Sequence, residues 1–186
     1  MLNTQGSINL GKDIFLYKNF IDQEYTDLLF SRANDLKEWI SHGSHSTTGG
    51  GFSEILPFVN KLNELVSFPD ILDDSCYFQK YTSGQGMGQH QDNNKVLEDM
   101  EKSKLYVDGD KYNLVRQPTY GVVLYLNKVD GGDIYYTEQD IRYSPSPGDM
   151  VVHSAEKHCT HMVEKLISDI RLCVPTYIYQ EIKVPL

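Results

Sequence analysis

The amino-acid sequence predicts an α+β, mainly β fold: a double-stranded β-helix (jelly roll) with two N-terminal supporting helices. Three features of the 186-residue chain point there. Apolar residues recur at helical spacing only before about residue 70, and beyond about residue 75 the period changes to that of strands. The second stretch holds about eight or nine short runs separated by Gly, Pro, Asn and Asp, a suitable number for two packed sheets. The chain carries 13 Tyr and 7 Phe beside many valines, residue types that fit a pleated, half-buried surface. One domain over residues 1–186 is the simplest organisation, with 1–70 as helical support and 75–180 as the jelly-roll core.

Ile14 to Tyr17 reads as a short strand. Asp22 suits a helix N-cap, because its carboxylate accepts from N–H groups that the first turn leaves unpaired. Tyr25, Leu28, Leu29, Leu36, Trp39 and Ile40 then recur at helical spacing, which predicts a helix running to Ile40. Ser41 to Gly51 (SHGSHSTTGGG) is a loop by composition, and its His42 and His45 read as solvated side chains. A second helix is expected to start at Ser53 and end near Ser67. It tolerates Pro57 in a first turn with no intrahelical donor to lose, and carries Ile55, Leu56, Val59, Leu62 and Leu65. Leu28, Leu29, Leu36, Leu62 and Leu65 are expected to pack on the outside of a sheet.

Cys76 to Tyr81 reads as a strand and Ser83 to Gly86 as a turn, before the strand around His90. Asn93 to Lys104 is polar with weak helical character, and Asp108-Gly109 is a hairpin signal. Asn93 to Tyr112 is long for a plain connection and is expected to act as a lid. Thr119 to Asn127 is the most apolar run and is expected to be central. Gly131-Gly132 turns into Asp133 to Tyr136, and Ile141 to Tyr143 follows. Pro145 to Gly148 is a sharp turn before Met150 to Val152. Cys159 to Glu164 and Ile170 to Tyr179 are the last strands, joined through Ile167 to Asp169.

Composition removes several function classes. A net charge of −9 disfavours a nucleic-acid partner, which needs clustered Lys and Arg. No apolar run reaches the ~20 residues of a membrane span. The segment MLNTQGSINLGKD lacks the basic-then-apolar pattern of a signal peptide. Cys76, Cys159 and Cys173 show no CxxC spacing, as in a reducing compartment. A cytoplasmic location is therefore expected.

The chemistry centres on Gly88-Gln89-His90-Gln91-Asp92-Asn93. A histidine and a carboxylate two residues apart on a strand share one face, and form two thirds of a 2-His-1-carboxylate iron site. Downstream stand His153, His158 and His161. His161 precedes Arg171 by ten positions, and in a hairpin centred near Leu166 the two would be cross-strand neighbours. His153 follows Val151-Val152 and is read as lining its strand, while His158 would need a different register. Loss of either is expected to leave most metal-dependent turnover.

In that order the motifs resemble the Fe(II)- and 2-oxoglutarate-dependent oxygenases of the prolyl 4-hydroxylase catalytic-domain type. The resemblance runs through Tyr81-Thr82-Ser83-Gly84, His90-x-Asp92, Leu124-Tyr125-Leu126-Asn127, Gly131-Gly132-Asp133, Pro147-Gly148-Asp149 and His161-x-Val163, and ends on the basic Arg171. The opening Ile14 to Asn34 is similar too. It implies that His90, Asp92 and His161 hold Fe(II) and are the catalytic residues, that Arg171 pairs with the distal carboxylate of the co-substrate 2-oxoglutarate, and that Tyr81 hydrogen-bonds it. Many relatives have lysine where Arg171 stands, and arginine adds a bidentate fork. The family often has Thr where this chain has Gly121. Ascorbate is implied as an auxiliary reductant.

The implied reaction is oxidative decarboxylation of 2-oxoglutarate to succinate and carbon dioxide, coupled to hydroxylation of an unactivated C–H bond. The implied substrate is a peptide, a protein or a free amino acid, prolyl first. The inward barrel face is expected to carry His90, Asp92, Tyr125, His161 and Arg171. Nucleobase-demethylating dioxygenases are a rival, but tend to carry a second arginine six positions on, where this chain has Tyr177. A non-catalytic jelly roll that binds metal or ligand is another. A zinc hydrolase would leave Arg171 without a role.

Overall fold

A computed structural model of the chain describes residues 2–66, 70–72, 77–93, 105–106 and 112–185. In chain order the elements are β1 (Ile8–Gly11), β2 (Ile14–Tyr17), α1 (Gln23–Asn34), β3 (Ile40–Ser41), β4 (Ser46–Thr47), α2 (Leu56–Asn63), β5 (Asp70–Leu72), β6 (Gln79–Thr82), β7 (Met87–His90), β8 (Leu105–Tyr106), β9 (Tyr112–Tyr125), β10 (Ile134–Tyr136), β11 (Ile141–Tyr143), β12 (Met150–Ser154), β13 (His161–Val163) and β14 (Ile170–Pro185). Among the described residues ten strands form one sheet, in the order β1-β2-β12-β9-β14-β6-β4-β3, with β5 on β14 and β8 on β9. Four more form a second, β11-β10-β13-β7. All pairings are antiparallel. This is the mainly β, two-helix jelly roll that the sequence predicts, with β9 between β12 and β14 in the larger sheet.

The helices depart from expectation at their ends. Asp22 does cap α1, its carboxylate accepting from the Tyr25 amide at 2.8 Å. The helix stops at Asn34 rather than Ile40. Trp39 donates its ring N–H back to the Leu36 carbonyl and lies under the Lys80 ammonium, 4.0 Å from its centroid. Ile40 instead enters a hairpin, pairing with Thr47, and β4 then pairs with β6. The Ser41 to Gly51 segment is thus partly an extension of the sheet. The second helix begins at Ser53 as a 3-10 turn and ends at Asn63. Residues 1–70 consequently supply strands as well as helical support.

Strand parity divides the large sheet into two faces. Val122, Leu124, Met150, Val152, Leu172 and Val174 pack with Leu29, Ala33, Phe58 and Leu62 from the helices. The alternating set, including Tyr81, Tyr125, Val151 and Cys173, faces the small sheet with Ile134, Tyr136 and Val163. Leu29 and Leu62 are buried, and Leu36 and Leu65 pack against the same cluster. Leu28 does not join them and is 52% exposed. The expected lid and the Asp108-Gly109 hairpin signal fall largely on 94–104 and 107–111, outside the described residues, as does Cys76.

Candidate metal centre and anion pocket

The two sheets enclose a cavity of about 320 Å³. His90, Asp92, Tyr125, His161 and Arg171, the five side chains expected on the inward face, all line it. His90 ends β7 and His161 begins β13, and the two are register partners in the small sheet. Their ring centroids are 4.3 Å apart. Each ring is oriented through Nδ1, His90 against the Gly88 carbonyl at 2.8 Å and His161 against that of Cys159 at 3.0 Å. A neutral imidazole that donates from Nδ1 keeps its Nε2 lone pair for a ligand. Burial, assisted by the neighbouring His153, pushes His161 down to about 3, so its ring is uncharged at neutral pH.

Asp92 lies in the turn after β7, not on the strand itself, and is buried. Burial alone would raise its carboxyl. The hydrogen bond from His153 and the surrounding histidines outweigh that and hold it well below the usual carboxylate range. With His161 neutral, the hydrogen bond is the steadier of these influences. One ligand atom from each of His90, Asp92 and His161 falls within 4.8 Å of the others. Two imidazoles and one carboxylate, gathered on one side of a cavity, fit Fe(II) with positions left open. His158 is elsewhere, its Nε2 2.8 Å from Asp13. His45 lines the cavity, its ring 5.7 Å from that of Tyr81, so it is more than a solvated loop residue.

Arg171 does not reach the metal ligands through a hairpin. β13 pairs with β10 and β7, whereas β14 pairs with β9, β6 and β5. The turn after Leu166 crosses from one sheet to the other, with Asp169 in the left-handed region at φ 66°. His161 and Arg171 therefore face the same cavity from opposite walls. The guanidinium is 2% exposed and lies between the rings of Tyr125 and Tyr81, 4.6 and 5.7 Å from their centroids. One of its terminal nitrogens donates to the Gly132 carbonyl. Gly132 turns at φ 68°, and a Cβ there would crowd both Leu166 and Arg171. The Arg171 Nε has no hydrogen-bond partner, the one such buried side-chain atom among the described residues. A buried donor on a charged group is costly to leave unpaired, so the chemistry of this position suits an anion. Tyr81, the register partner of Arg171, is buried, and desolvation keeps its phenol protonated.

His153, expected to line its strand, lies on β12 and lines the cavity as well. Its ring lies 4.4 Å from that of His161, tilted by 59°, with Nε2 2.8 Å from an Asp92 carboxylate oxygen. Parity held the signal, since His153 shares a face with Val151, whose neighbours Met150 and Val152 meet the helices.

No protein-family model matches the sequence, and no curated protein matches it at a significant level. Solved structures do. A viral collagen prolyl hydroxylase from Paramecium Bursaria Chlorella virus-1, in complex with 2-oxoglutarate, superimposes with a TM-score of 0.63 at 15% identity, over 91% of this chain and 97% of that one. A Pseudomonas putida prolyl-4-hydroxylase gives 0.64 at 17% identity, over 90% and 92%. A Trichoplax adhaerens prolyl hydroxylase, in complex with a hypoxia inducible factor peptide fragment, gives 0.60 at 13%, over 90% and 84%. The fold of this chain is that of the prolyl hydroxylases and other 2-oxoglutarate- and Fe(II)-dependent oxygenases, and it carries a His-Asp-His cluster in the cavity between its sheets.

Proposed function

We infer that the chain is an Fe(II)- and 2-oxoglutarate-dependent dioxygenase that hydroxylates an unactivated C–H bond of a peptide, protein or free amino acid, prolyl first. The observation that carries this reading is Arg171, buried in the same cavity as the His90–Asp92–His161 cluster with Nε unpartnered. A metal site alone serves many chemistries. A metal site sharing its cavity with a desolvated guanidinium whose Nε is unpartnered suits a bound dicarboxylate, one end at the metal and the other at the arginine. The peptide-bound prolyl hydroxylase among the similar folds supports the substrate class.

His90, Asp92 and His161 would hold Fe(II), which together with 2-oxoglutarate supplies dioxygen activation, yielding succinate and carbon dioxide. Arg171 binds the distal carboxylate in the fork geometry that a lysine lacks. Tyr81, kept protonated, donates to the same co-substrate. Tyr125, Ile134 and Val163 wall the cavity and keep water from the reacting centre. Cys159 and Cys173 are unpaired and buried, their thiols pushed up to about 11 by desolvation. They are inert there, in keeping with a cytoplasmic protein.

The test is to reconstitute the protein with Fe(II) without oxygen, then aerate it with 2-oxoglutarate, ascorbate and candidate peptides. Succinate formation and a +16 Da product by mass spectrometry are expected. Metal and 2-oxoglutarate binding with no succinate under any substrate would reduce the protein to a ligand-binding jelly roll.

A further inference from the structure

A buried polar contact in the cavity joins one proposed ligand, Asp92, to a residue outside the proposed set. His153 is 1% exposed and uses both ring nitrogens. Its Nδ1 is 2.9 Å from the Tyr136 hydroxyl and its Nε2 is 2.8 Å from Asp92 Oδ2. Tyr136 is fully buried, and desolvation holds its proton firmly, so the phenol donates to Nδ1. With Nδ1 accepting from that phenol, the ring carries its hydrogen on Nε2 and donates to Asp92. The other oxygen, Oδ1, is the one turned toward His90, 3.9 Å from Nε2.

The backbone below is shaped for this contact. Gly121 on β9 is the register partner of His153 on β12. A Cβ at position 121 would come within 2.1 Å of Asp92 Oδ2 and 2.7 Å of His153 Nε2. No side chain fits there while the carboxylate and the imidazole meet. His153, on the large sheet, meets a carboxylate that lies in the turn after β7, beside His90 and His161.

We propose that His153 is a positioning residue for the metal centre: the Tyr136–His153–Asp92 relay, accommodated by Gly121, holds one carboxylate oxygen of Asp92 away from the metal and presents the other as a single-oxygen ligand. The inference rests on the metal reading above. It revises the expectation that His153 is dispensable, because partners that orient a ligand typically change metal affinity about 10–100-fold when removed.

The experiment titrates Mn(II), and separately Co(II) followed by its visible ligand-field bands, into metal-free protein under nitrogen. Wild type is compared with His153→Leu, His153→Gln, Gly121→Ala and the His153→Leu/Gly121→Ala double variant. Unfolding curves of the metal-free proteins control for folding. His153→Leu should weaken Mn(II) about 10–100-fold and shift the Co(II) bands, with the unfolding midpoint of metal-free protein little changed. His153→Gln, which keeps a donor, should recover part of the loss. Because Gly121→Ala acts on the same carboxylate, the double variant should lose less than the two single losses combined. Wild-type affinity and spectrum in His153→Leu would overturn the proposal. So would loss as complete as in Asp92→Ala, which would make His153 a ligand. Equal weakening in His153→Gln and His153→Leu with a lowered metal-free midpoint would make it a packing residue. Failure of wild type to bind either metal would instead overturn the metal reading itself, and this proposal with it.

Discussion

Arg171 and Asp92 are charges sealed from water, and each is tolerable only because something answers it. For Asp92 the answer is the His153 ring. For Arg171 it is the Gly132 carbonyl and two tyrosine rings, with Nε left without a hydrogen-bond partner. Removing one partner of such a desolvated pair costs on the order of 2–5 kcal/mol, or about 30-fold to a few thousand-fold in affinity. Arg171→Leu should weaken 2-oxoglutarate by that amount in anaerobic titrations of the iron-loaded protein, leaving Fe(II) affinity nearly intact. Arg171→Lys should recover part of it. Unchanged affinity in Arg171→Leu would remove the co-substrate assignment. Acid sensitivity belongs to this scale too. His161 is pushed down to about 3 by burial, while an unfolded chain would hold it near 6.5. Between those values the unfolded state binds the extra proton, so stability falls as pH drops through the window, by up to about 1.4 kcal/mol per pH unit from this residue. Urea unfolding of the metal-free protein at pH 7, 6 and 5 should show that slope, and His161→Leu should flatten it. An unaltered slope in the variant would mean that other groups set it. His90, Asp92 and His161 were expected together from the His-x-Asp spacing and from the resemblance to known oxygenases, and they do gather, although the hairpin that singled out His161 does not form. The role of His153 was not legible, because it depends on Gly121, more than thirty positions away in the chain and directly opposite in the sheet.

Among the elements, the sequence reading failed where a tertiary pairing overruled a local period. The spacing of Leu36, Trp39 and Ile40 continued a helical stripe, but Ile40 is taken into a hairpin and the hairpin is taken into the sheet. The same applies to β13 and β14. A short turn between two strands reads as a hairpin, and nothing local says that each strand will find its partners in a different sheet. The ten-residue spacing still delivered both side chains to one cavity, by another route. The helix-to-sheet contact can be checked by truncation. Leu29→Ala should cost about 2–5 kcal/mol and Phe58→Ala about 3–5 kcal/mol, since both are fully buried against the sheet. Leu28→Ala, on the solvent side of the same helix, should change stability by less than about 0.5 kcal/mol in the same denaturant titration. A large loss at Leu28 would place the buried face of α1 elsewhere.

At the scale of the whole molecule, the match to prolyl hydroxylase structures at 15% identity shows what such a fold demands of a sequence. It needs alternation, turn residues at the corners and a handful of inward polar groups, while the remaining positions vary. That is why the class was readable from periodicity and a few motifs, and why the substrate was not: no residue of the loops selects one substrate by its chemistry. Co-substrate binding should be visible globally. Mn(II)-loaded protein with 2-oxoglutarate at about 100-fold over its Kd should gain about 2.7 kcal/mol against unfolding. Arg171→Leu at the same concentration should gain much less, and an equal gain would locate the ligand away from the arginine. The division of labour between the walls has one more consequence. The small sheet contributes both imidazoles and the large sheet the guanidinium, so a molecule reaching from one to the other is a crossbeam between two leaves. The protein would then be a sturdier object with that molecule bound than without it, its cargo serving for a moment as part of its architecture.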